Sequence, residues 1–148
     1  LYGYSPLTPR QINHYIDLYL GILRLDDISV IVDADNKLVA VGISMASFSD
    51  ALRKSRGRIF LFGWWHLLKP LRGKVDTVDL LLIAVKPEYQ SKGVNALLFA
   101  DLIPRYIKTG YRQAESNVEL EGNENVQKQW EYFEREQHKR RRAYKKSI

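Results

Sequence analysis

The sequence predicts an α/β (α+β) fold in which helices flank a mixed, mostly antiparallel sheet. Three observations predict it: an amphipathic helix opens the chain, a β-hairpin follows, and an apolar strand is then joined by a polar turn to another helix. The 148 residues are enough for one domain with its own core. Because cysteine is absent, disulfides and sites that need a thiolate are excluded, and no metal site is expected. We expect a cytoplasmic protein, since zero cysteine fits a reducing compartment.

The opening helix is predicted from its start signal and its spacing. Thr8 can cap the helix, Pro9 suits the first helical position, and Gln11 completes a capping box. We predict a helix from Pro9 to Leu23. Apolar side chains recur through it at helical spacing and form one face: Ile12, Tyr15, Ile16, Tyr19, Leu20 and Leu23.

A β-hairpin is predicted next. Residues Ile28 to Val32 are mostly apolar and β-branched, and the pattern resumes from Leu38 to Ser44. Between them, residues 33–36 are rich in turn-forming types. Two such segments joined by a short turn are typical of antiparallel neighbours.

Residues 50–74 form an insertion for which three roles stay open. Basic residues flank the apolar run 59–68, and no acidic residue lies between Ala51 and Val75. The run is too short to span a bilayer, and it could form a buried helix ended by Pro70 and Gly73. This helix could line a substrate cleft as core or lid, pack on a missing domain or second subunit, or contact a membrane surface through its basic flanks.

The second half of the chain alternates strands and helices. Val78 to Val85 is nearly unbroken in apolar character, which is typical of a strand buried on both faces. Pro104 should kink the helix that follows, and Gly110 should end it. The predicted elements are a polar turn at 86–93, a helix at 94–108, a strand at 114–120, a helix at 123–134 and a charged strand from His138 to Lys146.

The formal charge of +6 is confined to the C-terminal segment. Residues 135–148 hold seven of the 23 basic side chains and one of the 17 acidic ones, so the other residues are neutral overall. The composition therefore argues against a nucleic-acid surface spread over the domain. For 138–146 we favour a charged edge strand that resists unwanted sheet pairing. Contact with a phosphate, of a cofactor or of a nucleic acid, is the alternative.

The strand–turn–helix unit carries the chemistry. A loop that feeds a helix N-terminus exposes unpaired backbone N–H groups, and the helix dipole adds partial positive charge. Together they can bind a pyrophosphate. Gly93 lets the backbone approach phosphates closely, and Lys92 adds a mobile cation. An ordinary β–α turn is the simpler alternative for Gln90 to Ala96.

This unit resembles motif A of the GCN5-related N-acetyltransferase family. In this motif an apolar strand is followed by Pro, an acidic residue and Tyr. The pattern Gln/Arg-x-x-Gly-x-Gly/Ala comes next. The matching residues are Ile83–Val85, Pro87–Tyr89, Gln90, Gly93 and Asn95–Ala96, with Asn95 in place of the usual small residue. The family frame Asn-x-x-Ala-x-x-x-Tyr is similar to residues 123–130, with Val126 for Ala and Trp130 for Tyr.

The resemblance implies direct transfer of an acetyl group from acetyl-CoA to a primary amine of a small molecule or peptide. Acetyl-CoA would lie between the family's fourth and fifth strands, with backbone N–H groups of Ser91, Gly93, Asn95 and Ala96 on its pyrophosphate. The strand at 83–85 would hold the pantetheine, and Asn123 the cofactor arm. The implied cofactor-binding residues are Ile83, Ala84, Val85, Gln90, Ser91, Lys92, Gly93, Val94, Asn95, Ala96, Asn123 and Trp130.

The implied catalytic groups are Val85, Glu115 and Glu119. The Val85 N–H would polarise the thioester carbonyl, and a carboxylate would accept the proton of the amine. Asp79 and His66 are further candidates for the base. An indole cannot donate a proton as the family's Tyr does, and Glu134 and Arg135 replace the usual Gly-Phe. The resemblance therefore supports acetyl-CoA binding better than a particular catalytic mechanism.

Simpler roles remain for these residues. Asn123 could be a helix N-cap, Trp130 a core side chain and His66 a buried histidine, while Glu115 and Glu119 could share one solvated strand face. We expect a single acetyltransferase-like domain over 1–148, forming the C-terminal part of a longer protein, with a missing N-terminal domain or a homodimer as partner. A catalytically silent scaffold on this fold is the alternative function, and nucleic-acid binding through the tail is a third.

Overall fold

The computed structural model describes residues 5–56, 58, 63–72, 74–144 and 146, and the structural statements below concern these residues. They form two compact units, one made of the described residues from 5 to 117 and one made of those from 118 to 146. The elements of the first are α1 (Pro9–Leu20), β1 (Ile28–Val32), β2 (Leu38–Ala46), α2 (Ser49–Lys54), α3 (Gly63–Leu71), β3 (Thr77–Val85), α4 (Val94–Thr109) and β4 (Gln113–Ser116). The second contains α5 (Glu124–Gln129). A single domain over 1–148 stays a prediction.

The four strands form one mixed sheet in the order β1-β2-β3-β4. The first three strands are antiparallel, and β4 runs parallel to β3. The predicted hairpin is confirmed, with β2 two residues longer than expected. This arrangement confirms the predicted fold class, because helices precede and follow a mostly antiparallel mixed sheet.

Helix α4 packs on one face of the sheet. Gly42 lies under it so closely that an added Cβ would meet Leu102 Cδ1 at 3.1 Å. Leu98 is fully buried at the same contact. The helix is continuous through Pro104 and ends at Gly110, whose φ of 96° only glycine adopts easily. This packing fixes the position of the helix N-terminus beside the end of β3.

A buried polar chain crosses the same contact. The Tyr106 hydroxyl donates to Ser44 Oγ at 2.8 Å, and Ser44 Oγ donates to the carbonyl oxygen of Asp27 at 2.7 Å. Asp27 is 1% exposed, so burial raises the pKa of its carboxyl. Burial also raises the pKa of Tyr111 to about 12.

Helix α1 begins as predicted and ends early. Thr8 and Gln11 make both hydrogen bonds of the capping box. The helix stops at Leu20 rather than Leu23, because the next residue is Gly21 and glycine has a low helix propensity. The predicted apolar face is solvent-facing: Ile12, Tyr15, Ile16 and Tyr19 are each exposed by more than two fifths.

The insertion differs from the predicted buried helix. It holds two short helices, and Pro70 lies inside α3 instead of ending it. Trp64 is 49% exposed and Trp65 is 64% exposed, so the aromatic part of the run is on the surface. Residues 59–62 and Gly73 lie outside the described residues. The prediction that β3 is buried on both faces was also wrong, since most of its side chains are half-buried and Leu82 is 45% exposed.

The predicted C-terminal elements are shorter or absent. Strand β4 ends at Ser116 instead of residue 120, because β3 offers it paired residues only as far as Leu80. Helix α5 ends at Gln129 and passes into a single 3₁₀ turn at 130–132 instead of reaching Glu134. No strand forms among the described residues of 138–146. Arg140 and Arg142 instead pair with Glu121 at 3.2 and 3.1 Å. A strand this rich in cations is disfavoured, because like charges on neighbouring strands repel each other.

Candidate functional site

The candidate site begins where β3 leaves the sheet. After Val85 the chain makes one 3₁₀ turn, Pro87–Tyr89, and enters α4 through Gly93. Gly93 has a φ of 75° and Ser91 has a φ of 59°, both in the left-handed region. Alternation of left-handed residues in a short loop turns successive N–H groups toward one concave side. The backbone is therefore shaped like a site for an anion.

The N–H groups of this loop have no acceptor within the described chain. From Ser91 through Asn95, consecutive backbone N–H groups make no hydrogen bond to any described residue. An added Cβ on Gly93 would meet no atom within 4 Å, so the space beside it is open. Since α4 is 16 residues long, its dipole also favours a negative group here.

One predicted phosphate donor is not available. The N–H of Ala96 donates to the Gly93 carbonyl at 3.0 Å, which closes the first turn of α4. Because this N–H already has an acceptor, the predicted contact between Ala96 and a pyrophosphate stays a prediction. The donors that remain are those of residues 91–95.

The free edge of β3 lies beside this loop. The Lys86 N–H donates to the Val39 carbonyl on β2 at 2.9 Å. Hydrogen bonding alternates along an antiparallel pair, so the N–H groups of Ala84 and Leu82 also face β2. Those of Ile83 and Val85 then face the opposite side, where β4 no longer pairs. This places the N–H predicted to polarise a thioester on an open edge.

Two side chains hold the turn in shape. Gln90 Nε2 donates to the Val85 carbonyl at 3.0 Å, which fixes the turn to the end of β3. Lys92 Nζ lies 5.6 Å from the centroid of the Tyr89 ring, within cation–π range. Gln90 thus supports the loop structurally, and Lys92 is exposed at its rim.

A gap opens between β3 and β4 at residue 81. Their parallel pairing ends at Leu80 with Ser116. The register of β2 and β3 shifts at the same level, leaving Leu81 as the extra residue of a bulge. Asn117 Nδ2 donates to the Leu81 carbonyl at 2.7 Å. Asn117 was not predicted, because a lone amide beyond a strand carries no motif.

The four candidate bases do not stand together. Asp79 and Glu115 are register partners on β3 and β4, one pair before the last pair of these strands, and lie on the sheet face opposite α4. Glu119 lies beyond the end of β4, so the prediction that it shares a strand face with Glu115 was wrong. His66 is exposed on α3, so it is not the buried histidine considered above. The described residues contain no group of three possible metal ligands.

Asn123 and Trp130 belong to the second unit. Asn123 occupies the N-cap position of α5, but its side chain makes no capping bond. The indole N–H of Trp130 donates to Glu119 Oε1 at 2.6 Å, and its ring lies 6.2 Å from that of Phe133. Their part in cofactor binding stays a prediction. Within the described residues, no helix is long and apolar enough to cross a membrane.

The chain matches no protein-family model. It is 28% identical over 152 residues to Protein YghO of Escherichia coli (strain K12). The match covers 99% of this chain but only 39% of that protein, so the chain spans well under half the length of this curated relative.

Solved structures share the fold. The aminoglycoside N-acetyltransferase AAC(6')-Iy in complex with CoA superimposes with a TM-score of 0.54 at 20% identity, covering 94% of this chain and 90% of that one. An acetyltransferase of Trypanosoma brucei gives 0.52 at 14% identity over 95% and 82% of the two chains. An aminoglycoside acetyltransferase from an uncultured soil metagenomic sample gives 0.52 at 10% identity, over 100% and 79%. These matches show that the chain shares its fold with these acetyltransferases, as the resemblance predicted.

Proposed function

We propose, from a fold that it shares with N-acetyltransferases, that this chain binds acetyl-CoA and transfers the acetyl group directly to a primary amine. The observation that carries the proposal is the row of unpaired N–H groups from Ser91 to Asn95, at the N-terminus of α4 and beside the free edge of β3. A pyrophosphate fits the first feature. An extended pantetheine arm fits the second, because it can add hydrogen bonds along a strand edge as a peptide does.

The cofactor roles follow from this placement. The N–H groups of residues 91–95 bind the pyrophosphate, and Lys92 adds a cation at the rim. The edge of Ile83 to Val85 holds the pantetheine amides. The neighbour AAC(6')-Iy was solved once with CoA and once with the bisubstrate analogue CoA-S-monomethyl-acetylneamine, which supports this assignment. For Asn123 and Trp130, contact with the cofactor stays a prediction from the family resemblance.

The transfer step needs an oxyanion donor and a proton acceptor. The acceptor nitrogen forms a bond to the acetyl carbon as the carbon–sulfur bond breaks, and one amine proton must leave. We assign the Val85 N–H to the carbonyl oxygen, because it faces the free edge. Asp79 and Glu115 are the proposed proton acceptors, since both stand one pair before the last pair of β3 and β4, beyond which the gap at Leu81 begins. Glu119, which accepts from Trp130, is the weaker candidate.

The acceptor is proposed to be a small-molecule primary amine. One neighbour was solved in complex with sisomicin, an observation made on that protein. A peptide amine stays the alternative. We propose that the reaction takes place in the cytoplasm. Acetyl-CoA is available there, and the absence of cysteine fits a reducing compartment.

Binding is tested with a matched pair of glycine variants. Gly93 and Gly110 lie at opposite ends of α4, both have positive φ, and neither has an atom within 4 Å of an added Cβ. Replacing either with alanine should cost about 1 kcal/mol of stability through backbone strain. Isothermal calorimetry with acetyl-CoA should show a loss of at least about tenfold in affinity for Gly93→Ala, since a displaced N–H costs a charge-assisted bond.

Gly110→Ala is the control and should bind acetyl-CoA as the native chain does. Equal affinities for the two variants, or no binding by the native chain at millimolar acetyl-CoA, would contradict the proposal.

A catalytically silent scaffold is the second candidate function. Trp130 favours it, because the indole cannot protonate a departing thiolate and its N–H is already bonded to Glu119. The two functions differ in turnover. Release of free CoA from acetyl-CoA in the presence of a panel of primary amines would support the enzyme, and tight binding without any release would support the scaffold.

A further inference from the structure

The first unit contains a second cationic region at the far end of α4. A cleft of about 590 Å³ is lined by Arg24 and Asp26 before β1, by Arg72 and Lys74 before β3, and by Arg105 and Lys108 on α4. The volume is that of an ordinary small-ligand site. Helix α4 separates it from the loop at Gly93 by roughly 24 Å, from 16 residues at 1.5 Å each.

Not every charge in the cleft is free to act on a ligand. Arg24 lies 3.6 Å from Asp26, and Arg105 donates to both oxygens of Asp101 at 2.7 and 2.6 Å. Arg105 also donates to the Ile28 carbonyl at 3.1 Å, so its guanidinium is held in place. In these pairs Arg24 and Arg105 neutralise the two acids, Asp26 in the cleft and Asp101 beside it.

Three cations in the cleft have no acidic partner among the described residues: Arg72, Lys74 and Lys108. Lys108 follows the ordinary preference for a cation in the last turn of a helix, and Arg72 stands just beyond the end of α3. That preference explains each residue alone. It does not explain why segments far apart in sequence bring them to one concave surface.

We propose that this cleft is a binding site for a small polyanion that carries two or more phosphate groups. Three unpaired cations match the charge of a diphosphate or triphosphate, and the unpaired guanidinium of Arg72 can bind one phosphate through two N–H groups. The concave shape and limited volume favour a small molecule over a nucleic acid, whose backbone needs an extended cationic surface. The site is independent of the proposed acetyl-CoA loop.

The test is isothermal calorimetry with inorganic pyrophosphate and inorganic triphosphate as probes on the full chain. The double variant Lys74→Gln/Lys108→Gln removes two exposed cations of the cleft, and Lys54→Gln/Lys69→Gln removes two exposed lysines outside it. Unchanged circular dichroism and thermal midpoint establish that both variants are folded. The cleft variant should lose about tenfold in affinity for each cation removed, while the control should bind as the native chain does.

The Gly93→Ala variant separates this site from the acetyl-CoA loop. Pyrophosphate binding that survives Gly93→Ala and fails in the cleft variant supports the proposal, even if acetyl-CoA never binds. Equal loss in the cleft and control variants would overturn it, because the effect would then reflect overall charge. Affinity for a short DNA duplex that exceeds the triphosphate affinity, and falls in the cleft variant, would overturn it in favour of a nucleic acid.

Discussion

At the scale of single residues, two aspartates show how burial and hydrogen bonding shift a carboxyl pKa in opposite directions. Asp27 and Asp101 lie on either side of the contact between α4 and β1, yet their carboxyl groups respond oppositely to folding. Burial raises the pKa of Asp27, and its Oδ2 meets no hydrogen-bond partner among the described residues. The hydrogen bond from Ser29 at 2.7 Å, joined by the bonds from Arg105, lowers the pKa of Asp101.

Replacing Asp27 with asparagine should flatten the pH dependence of stability. Because folding raises the pKa of this carboxyl, its contribution is fully present below about pH 4 and is lost as the pH rises through the folded value. Urea unfolding of the native chain should therefore give a free energy that falls from pH 4 toward pH 7. In Asp27→Asn that fall should be smaller.

Asp101→Asn is the control, because the pKa of Asp101 shifts on folding in the direction opposite to that of Asp27. Since folding lowers this pKa, its contribution is present above about pH 4 and is lost only on further acidification. The stability difference between the native chain and Asp101→Asn should stay constant between pH 5 and 7 and shrink below pH 4. If Asp27→Asn also kept a constant difference over pH 4 to 7, the raised pKa of Asp27 would be contradicted.

At the scale of elements, the contact between α4 and the sheet depends on one glycine. The Cβ of any residue at Gly42 would stand 3.1 Å from Leu102 Cδ1 and 3.8 Å from Leu98. Gly42→Val adds two further methyl groups to this buried contact and should cost about 1–3 kcal/mol through overpacking. Gly21→Val is the matched control, because no atom lies within 4 Å of an added Cβ there.

Chemical denaturation of the two valine variants measures this difference. The midpoint of Gly21→Val should stay close to that of the native chain, while that of Gly42→Val should fall. Because the contact also seats the start of α4, Gly42→Val should weaken acetyl-CoA binding as well. Equal midpoints would mean that α4 can move away from the sheet at no cost.

The elements that sequence patterns predicted well are those whose signals are local. The capping box at Thr8 and the glycine after α4 depend only on their immediate neighbours, and both are observed. The ends of β4 and α5 were overestimated because tertiary pairing decides them. Periodicity could not show that β3 pairs with β4 only as far as Leu80, or that Trp64 and Trp65 lie on the surface.

The candidate site divides in the same way. The turn from Gln90 to Gly93 was predicted because its motif encodes backbone geometry, which the left-handed φ of Gly93 bears out. The bulge at Leu81 and the bond from Asn117 were not predicted, since they arise from strand register and long-range contact. The cationic cleft was also invisible in the sequence, because its lining residues are spread from Arg24 to Lys108.

At the scale of the whole molecule, the net charge does not mark the proposed phosphate sites. The excess of +6 belongs to residues 135–148, whereas the loop at the start of α4 offers mainly uncharged N–H groups. Two cations of the tail, Arg140 and Arg142, are already paired with Glu121. All three side chains are exposed, so these pairs contribute little to stability.

Because the proposed pyrophosphate donors are backbone N–H groups at the start of α4, we expect acetyl-CoA binding not to depend on the charged tail, residues 135–148. The variant Arg140→Gln/Arg142→Gln removes two tail charges and should change acetyl-CoA affinity by less than about twofold, because backbone donors supply the pyrophosphate contacts. Its affinity should also keep the shallow salt dependence of the native chain, as few charged groups are involved. Calorimetry at low and high salt measures both quantities. A loss of about tenfold, together with a weaker salt dependence, would instead assign a cofactor phosphate to the tail.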